Sequence, residues 1–157
     1  MSTRSHAELR ETVVRSLRQF IAGSILYNQQ IADTLGLRLI DVQCINVLDL
    51  LGPSTPGELA RSTGLTTGGV TVMLDRLEKG GYLKREPNPR DRRSVLVRLK
   101  PAKLKKIQAF YAEIDRRMEG LLDETPEREL RSVLNLFSKM NEFRMEQPPG
   151  GAPSTRK

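Results

Sequence analysis

Between residues 52 and 81 this chain is punctuated so densely by helix starts and stops that no long helix can pass through. Gly52-Pro53 closes one helical pattern, because glycine accepts positive φ and proline cannot continue a helix. Thr55-Pro56-Gly57-Glu58 opens the next. Thr55 can cap it, Pro56 fits the first helical position, and Glu58 can reach back to the Thr55 amide. That helix runs to about Ser62 and turns at Gly64 around Leu65. Thr66 or Thr67 caps a second helix, which Gly80-Gly81 ends. Two short strand patterns follow at Tyr82–Glu86 and Val95–Leu99, joined by a connection at 87–94 that is too long for a tight turn and carries Arg90, Arg92 and Arg93. A short helix, a turn, a second helix and a basic hairpin make a winged helix-turn-helix, a shape that sets one helix in a DNA groove and a charged loop beside it.

The second helix of the pair has two unlike faces. Val70, Leu74 and Leu77 form an inner stripe flanked by Met73, and the opposite side carries Thr67, Gly68, Thr71, Val72, Asp75, Arg76 and Lys79. Small residues there would let the backbone approach DNA closely. Threonine offers a hydroxyl for base edges or phosphates and a methyl for thymine. Gly68 and Gly69 each weaken the first turn by up to about 1 kcal/mol, a choice that close helix packing could also explain. In the wing, prolines stiffen the connection, and arginines suit the strong negative potential of a narrow minor groove.

Charge points the same way. The net charge is +7, yet residues 76–106 hold twelve Lys/Arg against three acids, so the rest of the chain is slightly acidic. A basic block on a near-neutral protein is an electrostatic footprint for phosphate. A solvated charged face is the plainer alternative.

Long amphipathic helices flank this module. Leu9, Val13, Leu17, Phe20, Ile21, Ile25 and Ile31 mark one from about Ser5 to Asp33, and a second runs over about Ile40–Leu51. Beyond Pro101, Leu104, Ile107, Tyr111, Ile114, Met118 and Leu121 mark a third. Thr125-Pro126-Glu127 starts a fourth, striped by Leu130, Val133, Leu134, Phe137 and Met140. Their apolar faces need partners. A symmetric dimer would pair two reading modules at the separation a palindromic site requires, although periodicity alone does not choose between a dimer and a monomeric bundle. The expected fold is therefore mainly α (α+β): a winged helix-turn-helix at 37–100 with a two-stranded wing, a helical dimerisation region at 1–36 and 101–146, and a disordered Pro/Gly/Ser-rich tail at 147–157.

Several function classes are disfavoured. A single cysteine, Cys44, in an apolar helical setting reads as a buried, inert thiol and excludes an internal disulfide. With His6 as the one histidine, the Cys/His set of a structural zinc site is missing. Catalysis by a His pair would have to rely on His6, in what should be a frayed N-terminus, and there is no phosphate-cradling G-x-x-x-x-G-K-[ST] loop. No cofactor, no metal and no enzymatic activity are expected. No apolar run is long enough to span a bilayer and no signal-peptide pattern opens the chain, so a cytoplasmic location is the expectation.

The run from Thr55 to Leu99 resembles the MarR-type bacterial transcriptional regulators, on LTTGGVT at 65–71, DRLEKGGYLKR at 75–85 and DRRSVLVRL at 91–99. The helical flanks extend the resemblance over about 8–145. It implies a homodimer that binds palindromic operator DNA, usually as a repressor released by a small aromatic or amphipathic effector. It also implies DNA contacts from Thr66, Thr67, Gly68, Thr71, Val72, Arg76, Lys79, Arg90, Arg92 and Arg93. Asp75 would hold the wing through an arginine, with Arg93 the expected partner, and Asp91 would be a structural residue of the loop. Two departures stand out: Cys44 lies away from the oxidant-sensing position, and Leu99-Lys100-Pro101-Ala102 replaces L-T-x-x-G, which removes the Thr cap at the hinge. A winged-helix module binding RNA or an acidic protein partner is the alternative function, though exposed aromatics for base stacking are scarce.

Overall fold

The structure, a computed structural model, describes residues 5–91 and 93–145. Arg92 and the tail expected to be disordered at 147–157 lie outside the described residues. The described chain contains six helices and one two-stranded antiparallel sheet. It divides into two compact units, one up to Gln43 and one from Cys44 onward.

In the first unit, α1 (His6–Leu35) is held at its start by a capping box. The Glu8 amide donates to Ser5 Oγ at 3.3 Å, and the Ser5 amide donates to Glu8 Oε2 at 2.8 Å. The expected frayed N-terminus is thereby corrected, since His6 is the first residue of a capped helix; Ser-His-Ala-Glu is the box signature and was open to reading. Gly36 ends α1 with φ 65°, a left-handed conformation that glycine adopts without a Cβ penalty. Ile31 and Ala32 are buried, while Leu9, Val13, Phe20, Ile21, Ile25 and Leu26 lie exposed. At the start of α2 (Leu39–Leu51), the buried Asp41 carboxylate accepts from the Arg38 amide at 3.0 Å, which satisfies a free N–H of the first turn.

The second unit carries the rest of α2, then α3 (Pro56–Thr63), α4 (Thr67–Lys79), β1 (Leu83–Pro87), β2 (Val95–Leu99), α5 (Pro101–Asp123) and α6 (Glu127–Met145). Its core is aliphatic: Ile45, Leu48, Leu59, Val70, Leu74, Leu77, Leu83, Val97 and Ile107 are buried, with Cys44 among them. Met73 is buried as well, so the expected flanking residue belongs to the core stripe of α4. Both caps of the helix pair form. Glu58 closes the box on Thr55, and its carboxyl pKa falls below the usual carboxylate range because it accepts first from the Thr55 amide and then from the Thr55 hydroxyl.

One connection was not visible as a periodic pattern. Ser54, just before α3, pairs with Val97 on β2: the Ser54 amide donates to the Val97 carbonyl at 3.2 Å and the Val97 amide returns a bond at 2.8 Å. A single bridge has no sequence period, so alternation cannot reveal it. Beyond the sheet, α5 starts without a side-chain cap at Lys100, as the missing threonine implied. Pro101 sits in its first turn, and the Lys100 amide donates to the Tyr82 carbonyl at 2.8 Å. Lys103 Nζ lies 4.9 Å from the centre of the Tyr82 ring, a further tie between the root of α5 and the base of the sheet. Farther along α5 and α6, Ile114, Met118, Leu121, Leu134 and Phe137 are exposed.

Candidate nucleic-acid interface

Thr66 starts α4 as its N-cap, with its hydroxyl oxygen accepting from the Gly69 amide at 3.2 Å. Burial of Val70, Met73, Leu74 and Leu77 fixes the rotation of the helix. The opposite side then presents Thr67, Gly68, Thr71, Val72, Asp75 and Lys79 to solvent, with Arg76 half-buried among them. The two glycines differ. A Cβ on Gly69 would come within 3.3 Å of Thr66 Oγ1 and 3.6 Å of Leu65 Cβ, whereas one on Gly68 would meet nothing within 4 Å. Close packing therefore explains Gly69 and leaves Gly68 without an intramolecular reason. Thr71 also behaves differently from expectation: its hydroxyl donates to the Thr67 carbonyl at 3.0 Å, so that proton is spent on the helix itself.

The wing is set by its register. Leu83 faces Leu99 and Arg85 faces Val97 across the ladder, so these four share one side of the sheet, with Leu83 and Val97 buried. Arg85 on that side meets α4. Its Nη2 donates to Asp75 Oδ1 at 2.7 Å, its Nη1 to Glu78 Oε2 at 2.5 Å, and its backbone N–H to Glu78 Oε1 at 3.0 Å. Partial burial opposes the Arg85 charge, but the bonds to Asp75 and Glu78 outweigh it and raise the pKa further. Asp75 thus ties helix to wing through Arg85, not through Arg93 as expected. The reason is the period of two from Leu83, which puts Arg85 on the helix-facing side at the base of the hairpin, while Arg93 stands in the tip. That period was the available signal for Arg85.

On the other side of the sheet, Glu86 gathers Arg98 at 2.7 Å and Lys84 at 3.0 Å, and its pKa is lowered chiefly by Arg98 and then by Lys84. Three cations of the basic block are thus matched by acids within the wing and α4. At the tip, side chains stand in for a tight turn. Asn88 Oδ1 accepts from the Arg90 amide and Asp91 Oδ1 from the Arg93 amide, each at 3.0 Å, while Asn88 Nδ2 donates to Ser94 Oγ at 2.8 Å. Arg90 and Arg93 are exposed on this loop. Arg92 is outside the described residues. Among the described residues no group of His, Cys, Asp or Glu could hold a metal ion, and no helix is long and apolar enough to cross a membrane.

Residues 35–94 match the MarR family. The chain is 37% identical over 148 residues to the HTH-type transcriptional regulator YcgE of Bacillus subtilis, an alignment that spans 94% of this chain and 96% of that relative. This chain belongs to the MarR family of transcriptional regulators. Within the family, it is 48% identical over 50 residues to the multiple antibiotic resistance protein MarR of Salmonella typhimurium, a stretch covering 32% of this chain and 35% of that protein. A solved MarR-family transcriptional regulator from Silicibacter pomeroyi shares its fold with a TM-score of 0.65 at 19% identity, covering 87% of this chain and 94% of that one. The winged helix-turn-helix of this MarR-family regulator is thus supported both by its own geometry and by a solved relative's fold.

Proposed function

We propose that this MarR-family regulator acts as a homodimer on palindromic operator DNA in the cytoplasm and represses transcription until a small aromatic or amphipathic effector releases it. The observation that carries the DNA reading is the exposed, uncharged start of α4 beside an arginine-tipped wing whose base is tied to that helix. In this reading Thr66, Thr67, Gly68, Thr71 and Val72 meet the major groove, with Arg76 and Lys79 behind them. Arg90, Arg92 and Arg93 enter the minor groove, and Asp75 and Asp91 hold the wing in place. Residues 37–100 form the reading module, and 1–36 with 101–146 form the dimer. Exposed apolar residues along α1, α5 and α6 support that last assignment, since single soluble chains rarely leave such long stripes bare.

The test is fluorescence anisotropy on a duplex taken from the DNA upstream of the gene, across a salt series. Affinity should fall by roughly 0.9 log units per log unit of salt for each phosphate neutralised. Salt-insensitive binding, or equal binding to any duplex, would defeat the proposal. Sedimentation should give twice the chain mass; a monomer at the concentrations that shift DNA would reject the dimer. A melting-temperature screen with aromatic acids tests the effector, because a ligand that binds only the folded form raises the transition.

A further inference from the structure

From Gly52 to Ser94 Val72 is, among the described residues, the one large aliphatic side chain that stands fully out, 60% exposed in the middle of α4. Packing does not require it there, and a β-branched residue is a poorer helix former than alanine. Its neighbour Thr71 is also exposed, but its hydroxyl proton is committed to the Thr67 carbonyl. What Thr71 has left to offer is a methyl group and an acceptor oxygen. Gly68 lies one turn earlier on the same face with open space in front of it, and no charged side chain occurs from Thr66 to Leu74. Gly68, Thr71 and Val72 together therefore offer no uncommitted side-chain hydrogen-bond donor, yet they present methyl groups where the backbone can come close to base edges. In the major groove the base feature complementary to such a surface is the 5-methyl group of thymine.

Resting on the DNA-binding reading above, we infer that Thr71 and Val72 determine operator specificity by packing against thymine 5-methyl groups, and not by hydrogen bonds to base edges. Gly68 makes the approach possible, and the cations farther along α4 and in the wing supply affinity without choosing the sequence.

Deoxyuridine tests this directly, because it keeps every hydrogen-bonding group of thymidine and lacks only the methyl. The full-length protein would first select a duplex from a randomised pool. Each thymidine would then be replaced singly by deoxyuridine and Kd measured at fixed salt. At one or two positions per half-site the replacement should weaken binding about fourfold, the effect of one buried methyl-sized group. Val72→Ala or Thr71→Ser should shrink that ratio to within about twofold at the position it contacts. Thr71→Val should preserve the ratio whatever its overall affinity, which separates a methyl contact from a hydroxyl contact. Circular dichroism would check that each variant folds. Equal Kd for every thymidine and deoxyuridine pair, with salt-dependent duplex binding intact, overturns the inference and leaves the DNA reading standing. Loss of the ratio in Thr71→Val but not in Thr71→Ser also overturns it. Failure to select any duplex defeats the DNA reading and this inference together.

Discussion

Arg85 should be worth more through Glu78 than through Asp75, and a pair of double-mutant cycles can measure the difference. Glu78 takes two bonds from Arg85, one from the guanidinium and one from the backbone amide, and its side chain is 38% exposed. Asp75 takes one bond and is 60% exposed. Solvent screening keeps the Asp75 pair near the surface value of about 0.5 kcal/mol, whereas the better-shielded Glu78 contact should couple at about 1 kcal/mol. Arg85→Gln removes both guanidinium contacts, so it should cost roughly 1.5 kcal/mol and lower the melting temperature by about 4 °C. Chemical unfolding of the wild type, Arg85→Gln, Glu78→Gln, Asp75→Asn and the two double variants gives both coupling energies. The same proteins on operator DNA should show roughly threefold weaker binding for Arg85→Gln, because the angle between wing and helix is no longer fixed. If both pairs add within about 0.3 kcal/mol, the fork does not hold the wing. If Asp75 couples more strongly than Glu78, the exposure argument is wrong.

Gly68→Ala should raise the melting temperature, since alanine favours the helix by up to about 1 kcal/mol and its Cβ meets no protein atom; it should also weaken duplex binding, read by anisotropy. Glu58 has a lowered pKa in the folded state, so its cap is fully present above the ordinary carboxylate range and is lost as the pH falls through that lowered value. Acid titrations of stability should accordingly be shallower below about pH 4.5 for Glu58→Gln than for the wild type. The Asn46 amide donates to the Tyr111 hydroxyl at 2.9 Å, linking α2 to α5, and Tyr111→Phe should destabilise by about 1 kcal/mol in urea unfolding.

Element boundaries were legible because they are set by local chemistry. Thr55 and Glu58, Thr66, Gly36, Gly64 and Gly80-Gly81 act within a few residues of themselves, and the helices begin and end where those residues stand. The faces of α4 were legible from its period, apart from Met73, which is buried with the core stripe and does not merely flank it. What escaped was contact at long range. The Ser54 bridge to Val97 needs the loop before α3 to lie against β2, and the choice of Arg85 over Arg93 depends on where the hairpin sits on α4. The direction of the Thr71 hydroxyl was equally hidden, because an exposed threonine in a helix can point its proton outward or back at the preceding turn.

The wing's strands are fastened on two sides: β1 to α4 by the Arg85 fork, and β2 to the entry of α3 by the Ser54 bridge. A hairpin held this way cannot swing alone. Helix pair and hairpin should travel as a single body, and a regulatory signal would have to act on its attachments, such as the uncapped Lys100-Pro101 junction into α5. Variants with altered response but unaltered operator preference should therefore cluster at that junction and not in the hairpin.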